Sequence, residues 1–354
     1  MLKRRLGRTD FEASVIGFGC GPYVRPTREE GVKALRRAIQ LGVNLIDTAR
    51  SYGDSEAIIA EALKDVGHKV FVATKSRLGT GEEVARSIEE SLRQLQVSKL
   101  DLIQMHGVDR EEDLTARLAP GGALEAMKRA RESGKVDFIG ISGHRPEVLA
   151  KAIKTGEFDV VTTPYNLLNC GADYSLFPLA EELDIGILAI KPLDARSLAV
   201  PREMIEFELN GRATSVAEAA LRFALANRRI TSVVVGMTNV AEVEANVPLG
   251  YEVQSLSPEQ QARLKEQARM AAHTSCDGCA RCAEICPYSI DIVRVFKQQV
   301  LARHYGMKEY ARAAYKEVSR PQVQMCTSCQ LCIENCPSQL DIPALLRKAD
   351  IFLS

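Results

Sequence analysis

No charge of either sign prevails in this sequence: 46 Lys and Arg face 46 Asp and Glu, leaving a net charge of 0 at pH 7. That balance excludes both the basic footprint that grips a phosphate backbone and the acidic run that keeps a tail solvated, so no nucleic-acid partner is expected. Long apolar runs are also missing. Nothing approaches the roughly 20 residues of a membrane-spanning helix, and the basic start MLKRRLGRTD is not followed by the apolar core of an export signal. The expectation is a cytoplasmic protein with no membrane insertion. A third absence is the dinucleotide fingerprint G-x-G-x-x-G at the opening of a helix. The nearest stretch, GFGCGP at 17–22, has the wrong spacing and reads as a strand end followed by a turn.

What is present is an ordinary globular composition, 46% hydrophobic and 26% charged. The chain has 354 residues, enough for a (β/α)8 barrel of about 250 residues and a smaller second domain. Cysteine marks the division: eight of the 10 fall after residue 275. Regular clustering in a long chain without an export signal points to thiolates that bind metal in a reducing compartment rather than to disulfides. The expected domains are 1–270 and 271–354. Charge does not mark the boundary, since residues 276–354 carry 10 basic and 8 acidic side chains.

The first domain alternates. Eight β-rich runs recur, SVIGFG (14–19), NLIDTA (44–49), VFVATK (70–75), LDLIQMH (100–106), VDFIGIS (136–142), FDVVTTPYN (158–166), GILAIKP (186–192) and TSVVVGM (231–237). The stretches between them, such as REEGVKALRRAIQLG and GEEVARSIEESLRQL, carry apolar residues at helical spacing. Strict alternation predicts an α/β fold, a parallel eight-stranded barrel ringed by helices, in preference to an open doubly wound sheet.

Chemistry in such barrels sits at the carboxyl ends of the strands. Those ends offer Asp47, Tyr52 shortly after it, Lys75 and His106, from the second, third and fourth runs. Together they suit proton donation to a carbonyl. A neighbouring ammonium is expected to bring the Tyr52 phenol down toward working pH, with Asp47 holding Lys75 charged and a neutral His106 donating a hydrogen bond to the carbonyl oxygen. Tyr165 and Asn166 are read as pocket wall, and Cys20 and Cys170 as buried, inert side chains.

In this order and spacing, DTARSYG, VATKS and DLIQMH resemble the catalytic tetrad of the aldo-keto reductases, a likeness covering about residues 1–270. The resemblance implies a (β/α)8 barrel that passes hydride between a nicotinamide, NAD(H) or NADP(H), and a small carbonyl or alcohol substrate. It makes Tyr52 the general acid and base, Lys75 its tuner, Asp47 the partner of Lys75 and His106 the orienting group. The cofactor positions depart from the family pattern. Where members carry Ser-Asn after the fifth strand, this chain has Ser142, Gly143 and His144; Thr162 stands in place of the sixth-strand Gln, and Ile190 or Lys191 replaces the stacking aromatic. After the eighth run come Gly236, Thr238, Glu242 and Asn246. A carboxylate repels a ribose 2′-phosphate and accepts from a 2′-hydroxyl, so Glu242 favours NAD(H). His144 reads either as the cap of a helix starting near Pro146 or as a ligand contact, and Lys191 as a contact for an anionic substrate or a solvated loop residue.

In the tail, CDGCARCAEICP places Cys276, Cys279, Cys282 and Cys286 before Pro287, and CTSCQLCIENCP places Cys326, Cys329, Cys332 and Cys336 before Pro337. Each is the run of bacterial ferredoxins, in which three closely spaced thiolates wrap three corners of a cubane and the fourth ligand comes from the other run. That pattern implies one 4Fe-4S cluster on Cys276, Cys279, Cys282 and Cys336, and another on Cys326, Cys329, Cys332 and Cys286. Zinc would need only two C-x-x-C units. The 39 residues between the runs contain helical stretches, IVRVFKQQVLARHYG and MKEYARAAYKEV, and resemble the α-helical ferredoxin domains appended to redox enzymes. A redox protein partner is therefore expected. Hydride carries two electrons and a cluster passes one, so exchange between the halves calls for an intermediary; flavin is the usual one, and a barrel mouth lacking the stacking ring leaves room for it. The other reading is an electron-transfer module in which the barrel is mainly a scaffold.

Overall fold

The computed structural model describes residues 1–354 except 22–26, 65, 68, 194–206, 210–211, 273–275, 277–279, 305–307 and 337–339. A hairpin opens the chain, β1 (Lys3–Arg5) antiparallel to β2 (Glu12–Ser14). Eight parallel strands then close into a barrel: β3 (Ile16–Gly19), β4 (Leu45–Asp47), β5 (Phe71–Ser76), β6 (Leu100–Met105), β7 (Val136–Ser142), β8 (Val160–Pro164), β9 (Gly186–Ile190) and β12 (Ser232–Gly236). These are the eight expected runs, closed by pairing of β12 with β3 through Val233↔Ile16 to Gly236↔Gly19. A second hairpin, β10 (Phe207–Leu209) with β11 (Arg212–Thr214), precedes β12 in sequence and was not expected.

The helices between strands are α1 (Arg28–Gln40), α2 (Ser55–Ala62), α3 (Gly81–Leu95), α4 (Glu111–Leu118), α5 (Ala123–Glu132), α6 (Pro146–Ile153), α7 (Ala172–Glu182), α8 (Val216–Ala226) and α9 (Val240–Asn246). Local chemistry fixes several starts. Thr27 with Glu30 and Thr80 with Glu83 form reciprocal capping boxes that satisfy otherwise orphaned backbone N–H groups at α1 and α3. The stretch after β6 contains α4 before α5.

Side chains of a barrel strand alternate between interior and helix layer. The lower interior is apolar: Leu45, Phe71, Ala73, Leu102, Val160, Leu188 and Val234 pack in one cluster with Phe138 and Ile190. Leu6 and Phe11, from the opening hairpin, plug it from below, with the Phe11 and Phe71 rings 4.9 Å apart. Two residues further along the same strands, the same parity delivers Asp47, Lys75, Gln104 and Thr162, so the alternation that builds the floor also builds the polar layer above it.

The chain divides into two compact units, the first ending at Leu264 and the second beginning at Lys265, inside α10 (Pro258–Ala272). The second unit is helical: α11 (Arg281–Glu284), α12 (Ile292–His304), α13 (Lys308–Ala314) continued by a π-helical turn at Tyr315–Ser319, α14 (Arg320–Val323), α15 (Leu331–Glu334) and α16 (Ile342–Leu353). Among the described residues no helix is long and apolar enough to cross a membrane.

Candidate active site and cluster-binding runs

Asp47, at the end of β4, accepts from Lys75 Nζ at 2.5 Å, and the ammonium also donates to the Thr48 carbonyl at 2.8 Å. Both side chains are almost fully buried. Breaking such a pair by removing one member costs about 3–5 kcal/mol, because the other charge is stranded out of water. Burial pushes the Asp47 carboxyl above its ordinary value, against the pull of Lys75 and Gln104.

Tyr52 sits in the loop after β4. The loop is set by Tyr52 N–H donating to the Ala49 carbonyl at 2.9 Å, by Arg50 N–H donating to the Lys75 carbonyl at 2.9 Å, and by an ion pair between Arg50 and the fully buried Glu56. Lys75 Nζ lies 5.5 Å from the centre of the Tyr52 ring, and the His106 ring stands edge-on to it at 5.7 Å. The four tetrad residues therefore come together. Burial raises the Tyr52 phenol above its ordinary value, outweighing the downward pull of Lys75 and Arg77. This corrects the expectation of a lowered phenol: desolvation beats the neighbouring charge. His106 is held down to about 3, first by burial and then by Lys75, Arg77, His144 and Arg117, so the imidazole is neutral. Its Nδ1 is buried without a hydrogen-bond partner among the described residues.

Sequence reasoning missed Gln104. It donates to Asp47 Oδ2 at 3.4 Å and accepts from the Thr162 hydroxyl at 2.6 Å, linking β4, β6 and β8 through side chains that are wholly or nearly wholly buried. Its signal was available, since it precedes His106 by two residues in LDLIQMH and so faces the same way. Gly140 on the neighbouring strand makes room: a Cβ there would lie 2.9 Å from Gln104 Cγ.

The other cofactor positions are distributed around the mouth. Thr162 is fully buried, with its hydroxyl hydrogen given to Gln104. Ser142 donates to the Met105 carbonyl at 3.1 Å. Gly143 N–H donates to the Thr162 carbonyl at 3.1 Å, and a Cβ on Gly143 would meet the Val108 carbonyl oxygen at 2.4 Å, so only glycine fits. Ile190 is half-buried on the apolar interior, and Gly236 and Asn246 are half-buried. The Glu242 carboxylate accepts from Thr238 N–H at 2.6 Å and thus already covers a backbone donor before α9.

His144 does not cap α6, whose N-cap is Arg145 with no side-chain cap. It accepts nothing from that helix; Nδ1 meets Asp109 Oδ2 at 3.0 Å, its backbone N–H donates to Asp109 Oδ1 at 2.5 Å, and Lys191 Nζ lies 2.9 Å from Nε2. Lys191 has a left-handed φ of 54° and its carbonyl is held by the Asn166 amide at 2.9 Å. Tyr165 and Asn166, read from sequence as pocket wall, are both buried. The Tyr165 ring is buried against Phe177 and Phe223, and Asn166 shapes the loop that fixes Lys191. Cys20 and Cys170 are half-buried rather than buried.

In the second unit the described parts of the two cysteine runs match around their short helices. Ala280 and Gln330 take φ 66° and 68° before α11 and α15. The repeat extends past the cysteines: Asp291 and Asp341 each accept a backbone N–H three residues on, at 3.0 Å, and Ile292 and Ile342 are each 1% exposed. Cys286 from the first run lines one cavity with Cys326, Cys329 and Cys332 from the second, walled by Pro287, Ile292 and Leu346. The Cys332 thiol is raised by burial and, more weakly, by Cys326, Cys329 and Cys286. Among the described residues no three His, Cys, Asp or Glu groups gather around one point as a single ion requires. A cubane needs a different arrangement, one thiolate for each of four irons around a wall-lined space, and the shared cavity fits it. Of the other set, Cys276 and Cys336 are half-buried and Cys282 is buried, while Cys279 lies outside the described residues, as does Pro337.

Barrel, tetrad geometry and cysteine cavity define an oxidoreductase barrel joined to an iron-sulfur module. Residues 15–269 match the aldo/keto reductase family, and the chain belongs to it. Residues 275–342 match the 4Fe-4S dicluster domain. The chain is 27% identical over 302 residues to L-galactose dehydrogenase of Arabidopsis thaliana, covering 75% of this chain and 93% of the relative. It is 27% identical over 284 residues to the uncharacterized oxidoreductase YqkF of Bacillus subtilis (strain 168), covering 70% and 90%. In fold it resembles the holo form of aldo-keto reductase AKR11C1 from Bacillus halodurans, with TM-score 0.63, 24% identity and coverage of 75% and 96%. An aldo-keto reductase from Klebsiella pneumoniae in complex with NADPH gives TM-score 0.61 and 23% identity, with coverage of 75% and 95%.

Proposed function

We propose that the barrel interconverts a small carbonyl compound and its alcohol with a nicotinamide, and that two 4Fe-4S clusters in residues 271–354 relay electrons to or from a redox protein. The observation that carries this reading is the buried Asp47–Lys75 pair beneath Tyr52, with a neutral His106 edge-on to the phenol. A bound nicotinamide supplies or accepts the hydride. Tyr52 stays protonated at neutral pH and gives its proton to the carbonyl oxygen as the carbon receives hydride; Lys75, held by Asp47, stabilises the phenolate left behind. The neutral His106 ring orients the carbonyl. In this reading Ser142, Gly143, Ile190, Lys191, Gly236, Thr238 and Asn246 would hold the dinucleotide, with Thr162 acting through Gln104, whose side-chain oxygen takes its hydroxyl hydrogen.

Glu242 supports NAD(H) over NADP(H), since a carboxylate engaged at the Thr238 N–H repels a second anion there. The cluster ligands are Cys276, Cys279, Cys282 and Cys336 for one, and Cys326, Cys329, Cys332 and Cys286 for the other, the second supported by the cavity they share. Thiolate ligation of this kind places the protein in a reducing compartment such as the cytoplasm. Exchange between hydride and one-electron clusters would need an intermediary such as a flavin, which takes two electrons and passes them singly. The alternative, a redox module with the barrel as scaffold, is favoured by one observation: the hydroxyls of Ser142 and Thr162 are already bonded within the protein.

Substitution separates the two. Tyr52→Phe is expected to lower carbonyl turnover by about 10²–10⁴-fold while the iron and sulfide content stays whole. Cys329→Ser is expected to lose the iron of one cluster. Unchanged turnover in Tyr52→Phe refutes the reductase reading and leaves the scaffold one.

A further inference from the structure

Two arginines meet beside His106. Arg77 follows Ser76, the last residue of β5, and its guanidinium lies over Gly107: a Cβ on that glycine would stand 3.6 Å from Nη2, 3.7 Å from Cζ and 3.9 Å from Nε. Arg117, in the last turn of α4, reaches back to the strand ends, where Nη1 donates to the His106 carbonyl at 3.2 Å and Nη2 to the Arg77 carbonyl at 3.0 Å. The two cations sit close enough to oppose each other. Burial lowers Arg117 first, and the Arg77 charge lowers it further against the pull of Asp113 and Asp109. Arg77 also acts on both Tyr52 and His106.

Arg77 is exposed and Arg117 half-buried, so both side chains are open to solvent at the strand ends beside His106. Among the described residues neither Arg77 nor Arg117 is in an ion pair, and the nearby Asp109 carboxylate is taken by His144. Two guanidiniums near each other repel, and an anion between them removes the repulsion while accepting from two planar donor forks. We propose that Arg77 and Arg117 hold an anionic group of the substrate, so that the compound turned over carries a carboxylate or a phosphate away from its reacting carbonyl. The substrate part rests on the reductase reading above; anion binding by the pair does not.

The test uses the full chain with its clusters, as wild type, Arg77→Met, Arg117→Met and Tyr52→Phe. Calorimetric titration with succinate and with inorganic phosphate reads binding without turnover. One of them is expected to bind wild type and Tyr52→Phe alike, more weakly at high salt, and at least about tenfold more weakly in Arg77→Met or Arg117→Met. The anion that binds names the source, carboxylate or phosphoryl. Kinetically, the preference in kcat/KM for succinic semialdehyde over butanal, or for glycolaldehyde phosphate over glycolaldehyde, is expected to collapse in the same variants. Equal binding by wild type and both arginine variants overturns the inference, as does the absence of binding by either anion. A loss of NADH affinity matching the loss of anion affinity also overturns it, by assigning the pair to the dinucleotide. If no aldehyde is reduced at all, the reductase reading fails while the titration still decides the anion site.

Discussion

On the phenol of Tyr52 two opposing forces meet. The Lys75 ammonium, 5.5 Å from the ring centre, favours the phenolate, and removal from water disfavours it; burial prevails, so the group rests as an acid. His106 obeys the same physics with the opposite charge, since burial first and then the Lys75, Arg77 and Arg117 cations resist protonation. A prediction follows from its value of about 3, against 6.5 for a free imidazole. Between those values the unfolded chain binds a proton that the folded chain refuses. The stability associated with the neutral ring is therefore fully present above pH 6.5 and is lost as pH falls toward 3. Urea midpoints measured across that window should fall in wild type and fall less steeply in His106→Leu. Parallel slopes would contradict a depressed histidine.

Elements rather than single residues explain how the polar layer is assembled. The period of two that makes Phe71 and Leu102 floor residues also points Lys75 and Gln104 inward, and Gly140 leaves the space that Gln104 fills. Gln104 then ties the carboxylate of Asp47 to the hydroxyl of Thr162. Replacing Gln104 by Leu removes a hydrogen bond that favours the ionised Asp47, so its carboxyl rises further and the pair with Lys75 weakens. Turnover is expected to fall by roughly tenfold, the loss of one hydrogen bond to a charged group, with the acid limb of the rate profile displaced to higher pH. A profile of unchanged shape would reduce Gln104 to packing. In the tail, repetition operates at longer range: two short helices are entered through left-handed residues, and each is followed by an aspartate that caps the next helix.

At the scale of the molecule, one chain joins a family barrel to a dicluster domain, and in the function proposed above their chemistries differ in electron count. If they form one path, adding NADH to the anaerobic protein should bleach the iron-sulfur absorbance, with a flavin band in the starting spectrum marking the intermediary. An unbleached spectrum would mean two separable functions. Much of the design was legible beforehand because its signals are local. Strand alternation gave all eight barrel runs, and the cysteine spacing marked the region that matches the dicluster domain. The two hairpins were not legible, since three-residue strands carry no usable periodicity. Nor was α4, whose single buried side chain, Leu114, leaves no apolar stripe to read.

Sequence alone determined the barrel, the parity of Asp47, Lys75 and His106, and the cysteine repeat, because alternation and spacing are properties of neighbouring residues. Tertiary structure decided which groups were already spoken for. It took Thr162 out of reach through Gln104, turned His144 from a helix cap into the partner of Asp109 and Lys191, and tied the Arg117 guanidinium to the Arg77 carbonyl. Burial and hydrogen-bond partners come from residues tens of positions apart, and desolvation, which set the phenol of Tyr52 against its ammonium neighbour, exists only once the barrel has closed.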